Sequence, residues 1–435
     1  MHLSLWGFAT LAVFLALVLT RRLSAAAALI LTPVTFGLLA GFGAGLGEMM
    51  LQGVVEVAPT ALMLVFALLY FAVMIEAGLF EPLVRKILAL AGDDPVRVVV
   101  GTAALAMLVS LDGDGATTAL VTISAMYPVY RRLGLNPLIL AVLLGLSNTL
   151  MNWLPWGGPS ARAATALRVP VMDVVGPLLP ALGLSLLGVL ALAYVFGRME
   201  RRRLAAHASA AGPPSAGEDR LDEAPTAPKE TRNLLLNLAL TVALIVGMVT
   251  QVAPLAALVM SAFAIAVTLN FPRLSEQKAR LAAHGETVMM MVMLIFGAGA
   301  FTGILSGTGM IDAMAGSLVS AIPPALGPYM GQITALLSMP LLMFMSNDAF
   351  FFGVVPVLGA AGAAYGVPAE EIARASLMGM PLHGLSPFIA PIYLVASLIR
   401  ADVGALQRFG LPWAILTSLF AFAAAMLTGA ITFPR

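Results

Sequence analysis

The sequence has 435 residues, 60% of them hydrophobic and only 10% charged, with a net charge of +1 and a mean hydropathy of +0.98. A soluble domain carries about 25% charged residues, so a water-soluble globule is excluded and the chain reads as an all-α integral membrane protein. The balanced charge, with no long basic run, gives nucleic acid no electrostatic footing, and zero cysteines exclude disulfides and thiolate metal sites.

A membrane-crossing helix needs roughly 20 apolar residues. Runs of that kind fall at about 3–20, 25–47, 61–80, 137–160 and 171–197, and again at about 233–253, 254–270, 287–310, 370–398 and 409–431. Arg21 and Arg22 follow the first run instead of preceding it, the reverse of a cleavable signal, so that run reads as an uncleaved span with its N-terminus outside. The glycines of Gly41–Gly47 (GFGAGLG) end the second run with no strand before them, and read as close helix packing, not as a phosphate loop. Glu81 and Asp312 open amphipathic stretches as interfacial helix caps, and the run Met289, Met290, Met291 and Met293 reads as a lipid-facing or core stretch.

Two further stretches are apolar but broken at their centres. Residues 96–130 are interrupted around Asp112 and Asp114, and residues 325–365 at Ser346, Asn347 and Asp348. Each arm is long enough to reach the bilayer midplane and return, so both read as re-entrant hairpins. Residues 198–232 form a hydrophilic segment that opens on arginines and continues in Ala, Pro, Gly, Ser and acids, the composition of a flexible linker. Alternating the ten spans from an outside N-terminus puts nineteen of the 23 Lys and Arg side chains on the cytoplasmic side with that linker. Only Arg162, Arg168, Arg374 and Arg435 fall outside, where the C-terminus also lies.

The halves repeat. Gly78 and Glu81 match Gly309 and Asp312 at an offset of 231, Asn152 matches His383 at the same offset, and Asp114 matches Asp348 at 234. Residues 1–197 and 233–435 then each hold five spans and a hairpin. An odd number of spans inverts the second half relative to the first. Inverted repeats with interrupted helices are the pattern of secondary transporters, with the substrate site at the repeat interface.

Helix breaks inside a bilayer must be satisfied by protein or water, so they line cavities. Four are expected here: the tips Ser110–Thr118 (SLDGDGATT) and Met345–Phe350 (MSNDAF), and the broken spans Asn152–Ser160 (NWLPWGGPS) and His383–Pro391 (HGLSPFIAP), closed by Pro159 and Pro391. Gly113, Gly115, Gly157 and Gly158 allow tight turns and close approach of a ligand. Half-helices starting after Pro159 and Pro387 would aim their N–H groups at an anion, and Arg162 could fork onto a carboxylate. Thr117, Thr118, Asn152, Ser160, Ser346, Asn347, His383 and Ser386 supply polar groups for a substrate at these breaks. The acids Asp112, Asp114 and Asp348 fit a substrate that brings its own cation, or coupling protons; the competing reading makes them caps of the hairpin tips. Trp153 and Trp156 serve either a ligand or packing.

The tip Leu111–Thr118 (LDGDGATT), the break Pro155–Pro159 (PWGGP) with Arg162–Ala164 (RAA) after it, and Ser346–Gly353 (SNDAFFFG) together resemble the citrate–divalent metal:proton symporters of the ion transporter superfamily. The resemblance implies a usually dimeric carrier in a bacterial inner membrane. A scaffold part holds the dimer interface, and a transport part bearing the hairpins and broken helices slides as an elevator. It also implies a transported complex of citrate with Mg²⁺, Ca²⁺ or a similar ion, taken up with protons and without a permanently bound cofactor. On that resemblance Asp112, Asp114, Asn152, Arg162, Asn347, Asp348 and His383 are the candidate site residues. The acidic first tip departs from the Ser-Asn-Thr tips of the sodium–dicarboxylate carriers; Ser147-Asn148-Thr149 lies on the span before the break and carries little weight. The rival readings are a metal-free di- or tricarboxylate carrier coupled to protons or sodium, a channel, and, remotely, an intramembrane aspartyl protease using Asp114 and Asp348.

Overall fold

The computed structural model describes residues 3–113, 115–210, 233–250, 252–387 and 389–433. Asp114 and residues 211–232 of the expected linker lie outside the described residues, as does the side chain of Asp112. Among the described residues every assigned element is helical.

Apolar residues with no periodic polar face build α1 (Leu3–Leu19) and α2 (Ala25–Leu39), the latter capped by Ser24, whose Oγ accepts from the Ala27 N–H at 3.3 Å. The chain then turns and enters α3 (Leu46–Glu76), a single helix of 31 residues. The span expected at 61–80 is its later part. Glu48, Gln52, Glu56 and Pro59 interrupt the apolar run, yet an interior proline removes only one backbone hydrogen bond, and the helix continues through it. Gly41, with φ +94°, helps make the turn into α3, and a Cβ at Gly41 or Gly47 would meet open space. The helix-packing role expected of Gly41–Gly47 is therefore incorrect.

Gly78, with φ +76°, leads to the short α4 (Glu81–Ala91), where Glu81 lies in the first turn and makes no cap bond. Asp94 caps α5 (Pro95–Val109). A 3₁₀ turn over Ser110–Asp112 and the left-handed Gly113 reverse the chain into α6 (Gly115–Leu133), which packs back on α5. Next come α7 (Pro137–Met151), a break, α8 (Gly158–Leu167), the one-turn α9 (Val171–Val175) and α10 (Leu179–Ala210). Because α10 runs to Ala210, the arginines that open the hydrophilic stretch are helical. One of them, Arg201, donates to both oxygens of Asp94 at 2.6 and 2.7 Å, tying α10 to the start of α5.

The second half supplies α11 (Leu234–Val249), α12 (Leu255–Asn270), the short α13 (Leu274–Ala283) and α14 (Gly285–Gly307). Gly309, at φ +72°, repeats the left-handed turn of Gly78 before α15 (Met310–Ala321), with Asp312 in its first turn but not capping it. Then α16 (Met330–Phe344), a break and a π-helical turn lead into α17 (Val355–Ala364). The last expected broken span resolves into α18 (Ala369–Ser376), α19 (Met380–His383) and α20 (Ala390–Leu398), followed by α21 (Val403–Leu427). Two details correct the sequence reading. The second half-helix starts at Ala390 and not after Pro387. Pro159 and Pro391 lie in the opening turns of α8 and α20, where a missing N–H costs nothing, instead of closing the preceding arms.

Among the described residues four helical segments are long and apolar enough to cross a membrane alone: Leu46–Glu76, Val171–Ala206 (α9 running on into α10), Gly285–Gly307 and Val403–Leu427. Their outward faces expose Leu51, Val55, Leu187 and Leu416, as a hydrocarbon solvent permits; Met289, Met290 and Met293 are exposed in the same way. Close packing occurs where α3 crosses α14. A Cβ on Gly53 would collide with the carbonyl oxygen of Gly299, and one on Gly303 with that of Met49, so only glycine fits.

Candidate functional site

The break after α7 exists because Asn152, Pro155 and two glycines follow a helix whose next turn cannot propagate. A Cβ at Gly157 would strike the carbonyl oxygen of Asn152, so this position accepts only glycine. Trp156 fastens the break to the first tip: its Nε1–H donates to the Leu111 carbonyl at 2.7 Å, and its ring lies 5.0 Å from Phe71 of α3. Trp153 is wholly buried in the main core. Both tryptophans serve packing here.

A cavity of about 280 Å³ opens where the breaks meet. Its lining includes Gly113 and Gly115 from the first tip, Asn148 and Asn152 from the end of α7, Gly158, Pro159 and Arg162 from α8, Asn347 from the second tip, and His383, Gly384 and Pro391 from the second broken span. The two broken spans and both tips thus contribute to one chamber. Of the residues singled out in the sequence, Asn152, Arg162, Asn347, His383, Gly113, Gly115 and Gly158 are on its wall.

Others stand one layer behind. Ser160 is buried and donates to the Asn152 carbonyl at 3.3 Å. Thr118 is buried against Ser110, and Thr117 adjoins it on α6. Ser386 donates to the Met343 carbonyl at 2.8 Å, stitching the second broken span to α16. Ser346 caps the turn after the second tip, its Oγ accepting from the Ala349 N–H at 3.2 Å. Gly157 shapes the break without reaching the cavity.

Asp348 makes no cap bond. It accepts from Arg162 Nε at 2.7 Å, both side chains being about a fifth exposed (22% and 23%). The cap reading is therefore incorrect for Asp348: the acid of one half neutralises the arginine of the other. His383 is 4% exposed, and its Nδ1 lies 2.8 Å from the Leu342 carbonyl. A carbonyl can only accept, so Nδ1 carries the hydrogen and Nε2 is left for another partner. The Asn347 Oδ1 is buried and unpartnered among the described residues.

Asn148 is the residue undervalued in the sequence. It donates from Nδ2 to the hydroxyls of Ser110 and Thr118, at 3.3 and 3.4 Å, and accepts at Oδ1 from Asn152 at 3.2 Å. The signal was present: Asn148 and Asn152 are one helical turn apart and share a face. Among the described residues no group of three or more His, Asp or Glu side chains forms a metal cluster.

The sequence profile of the citrate transporter family matches residues 7–379. Two curated relatives come from Bacillus subtilis strain 168. A "Citrate transporter" is 47% identical over 437 residues, covering 99% of this chain and all of the relative. A "Mg(2+)/citrate complex secondary transporter" is 45% identical over 436 residues, covering 99% of each. Among solved structures, the YdaH transporter of Alcanivorax borkumensis superposes with a TM-score of 0.56 at 15% identity, over 99% of this chain and 98% of that one. MtrF of Neisseria gonorrhoeae gives 0.61 at 17% identity, over 89% and 84%. At those identities the likeness is one of fold.

Proposed function

The chain belongs to the citrate transporter family (CitMHS), a family of transporters and not of enzymes, and from that premise we propose that it imports citrate as a complex with Mg²⁺, Ca²⁺ or a similar divalent ion by symport with protons. The single observation that carries this reading is the Arg162–Asp348 pair, whose arginine lines a cavity built from four helix breaks. A citrate trianion holding one divalent cation keeps about one negative charge, and presents carboxylates to Arg162 and the α8 N-terminus while its metal meets acid. The names of the two relatives support the same substrate class.

The proposed framework is an inverted repeat of 1–197 and 233–435, with hairpins 96–130 and 325–365 re-entrant and the linker 198–232 cytoplasmic. Both termini then lie outside a bacterial inner membrane. The left-handed glycines at Gly78 and Gly309, each between a long helix and a short one, support the repeat. The transport part would slide as an elevator against a scaffold in a homodimer, with protons held at Asp112, Asp114 or Asp348. Radiolabelled citrate uptake into proteoliposomes tests the core of this. Uptake is expected to need Mg²⁺ or Ca²⁺, to rise with an inward proton gradient and to ignore a sodium gradient. Full uptake in metal-free buffer would favour a metal-free carboxylate carrier, and indifference to the proton gradient would remove symport.

A further inference from the structure

The Arg162–Asp348 pair spends only part of what each group can offer. Arg162 uses Nε and Asp348 uses Oδ1; among the described residues the two Nη groups and Oδ2 have no partner. One Nη lies against Gly158, where an added Cβ would come within 2.6 Å of it, so the guanidinium crowds the opening turn of α8 on the cavity wall. Asp348 is not detained by a structural duty at its own tip, since Ser346 does the capping there. Arg162 is on the cavity wall, and Asp348, 23% exposed and bonded to it at 2.7 Å, adjoins that wall without lining it, so a ligand that reaches the guanidinium also meets the field of the carboxylate.

The electrostatics of such a pair are selective. A bare polyanion gains at the guanidinium and loses at the carboxylate a few ångströms away, and at similar distances the two Coulomb terms nearly cancel. A ligand that carries a carboxylate and a cation side by side gains at both ends. Displacing Asp348 from Arg162 does not rescue the bare anion, because it leaves a second carboxylate unpaired beside it.

We infer that Asp348 is the specificity-determining residue of the site: by neutralising Arg162 on the cavity wall, it makes a cation an obligatory part of the ligand and turns bare citrate away. This rests on the citrate reading above and adds to it the residue that enforces the metal requirement. Rejection of the wrong ligand is built from a repulsive element as well as an attractive one.

The test is titration calorimetry on the purified full-length protein at one fixed pH, with citrate in excess Mg²⁺ or in metal-free buffer. The wild-type protein is expected to bind the complex at least about tenfold more tightly than bare citrate. Asp348→Asn should bring bare citrate up so that the two affinities agree to within about threefold, whereas Asp348→Glu, which keeps the charge, retains the preference. An Asp348→Asn protein with wild-type elution and melting that preserves the full preference overturns the inference. Equal wild-type affinity for both forms overturns it without any variant. Wild-type protein that binds neither form overturns the citrate reading itself, a separate failure.

Discussion

The crossing of α3 and α14 and the meeting of α7–α8 with α19–α20 solve opposite problems with the same residue type. At the crossing, helices of 31 and 23 residues run unbroken, and Gly53, Gly299 and Gly303 remove side chains so that two backbones can touch. At the meeting point Gly157 and Gly158 remove side chains so that a helix can stop and leave room for something else. In a bilayer, where apolar burial gives helices little reason to prefer each other over lipid, close backbone approach is the main source of association. The crossing is thus a place of close packing, and the breaks, with the unpaired Asn347 Oδ1, are where the cavity opens.

The largest expected effect breaks that packing. Gly303→Ala places a methyl against the Met49 carbonyl and the Gly53 backbone, an overpacking that costs about 1–3 kcal/mol. It should lower the melting temperature measured by intrinsic fluorescence in detergent. Gly316→Ala in α15 is the control, because its Cβ meets nothing within 4 Å. A helical Gly→Ala there should be neutral or stabilising by up to about 1 kcal/mol. Equal melting temperatures for the two variants would remove the distinction between packed and permissive glycines.

A smaller effect sharpens the other side. Asn148→Ala deletes bonds to Ser110, Thr118 and Asn152 at once and unclamps the first tip from α7. Asn148 is only half-buried, so losing its bonds costs about 0.5–1.5 kcal/mol. The apparent KM for citrate uptake should rise by about tenfold. A variant with wild-type KM would mean that the Asn148 cluster is packing only.

How much of this was legible in the sequence follows from what each signal measures. Hydropathy measures chain composition, so it found the apolar runs and the two broken stretches, but it split α3 because Glu48, Gln52, Glu56 and Pro59 dilute the run without stopping the helix. Residue chemistry pointed to Arg162, Asn152, Asn347 and His383, which line the cavity, since such groups are expensive in lipid anywhere else. It did not reveal that Arg162 and Asp348 satisfy each other, because that contact joins residues 186 apart. Nor did it show the packing of Gly299 and Gly303 against α3, although their i, i+4 spacing was there to read. The glycines at 41–47 looked more emphatic, and density of glycine says nothing about what lies opposite.

The mildest prediction concerns the clasp that holds the site-bearing helices at one end, Asp94 with Arg201. The guanidinium of Arg201 holds the Asp94 carboxyl below its ordinary value of 3.8, with burial opposing it and the Val96 N–H adding to it. A depressed carboxylate contributes stability that is present above the unfolded value and lost as pH falls through the lower folded one. Asp94→Asn keeps the cap on α5, since asparagine caps as well as aspartate, and removes only the charge pairing. For so exposed a pair the difference should be a few tenths of a kcal/mol, at most about 1. Melting curves of the two proteins should therefore differ slightly at pH 7 and converge as the pH drops below about 4, where Asp94 in the unfolded chain is protonated and the native carboxyl follows. A gap that instead widens on acidification would assign the stability of this end of α5 to the cap alone and leave Arg201 as a charge held there by topology, not by partnership.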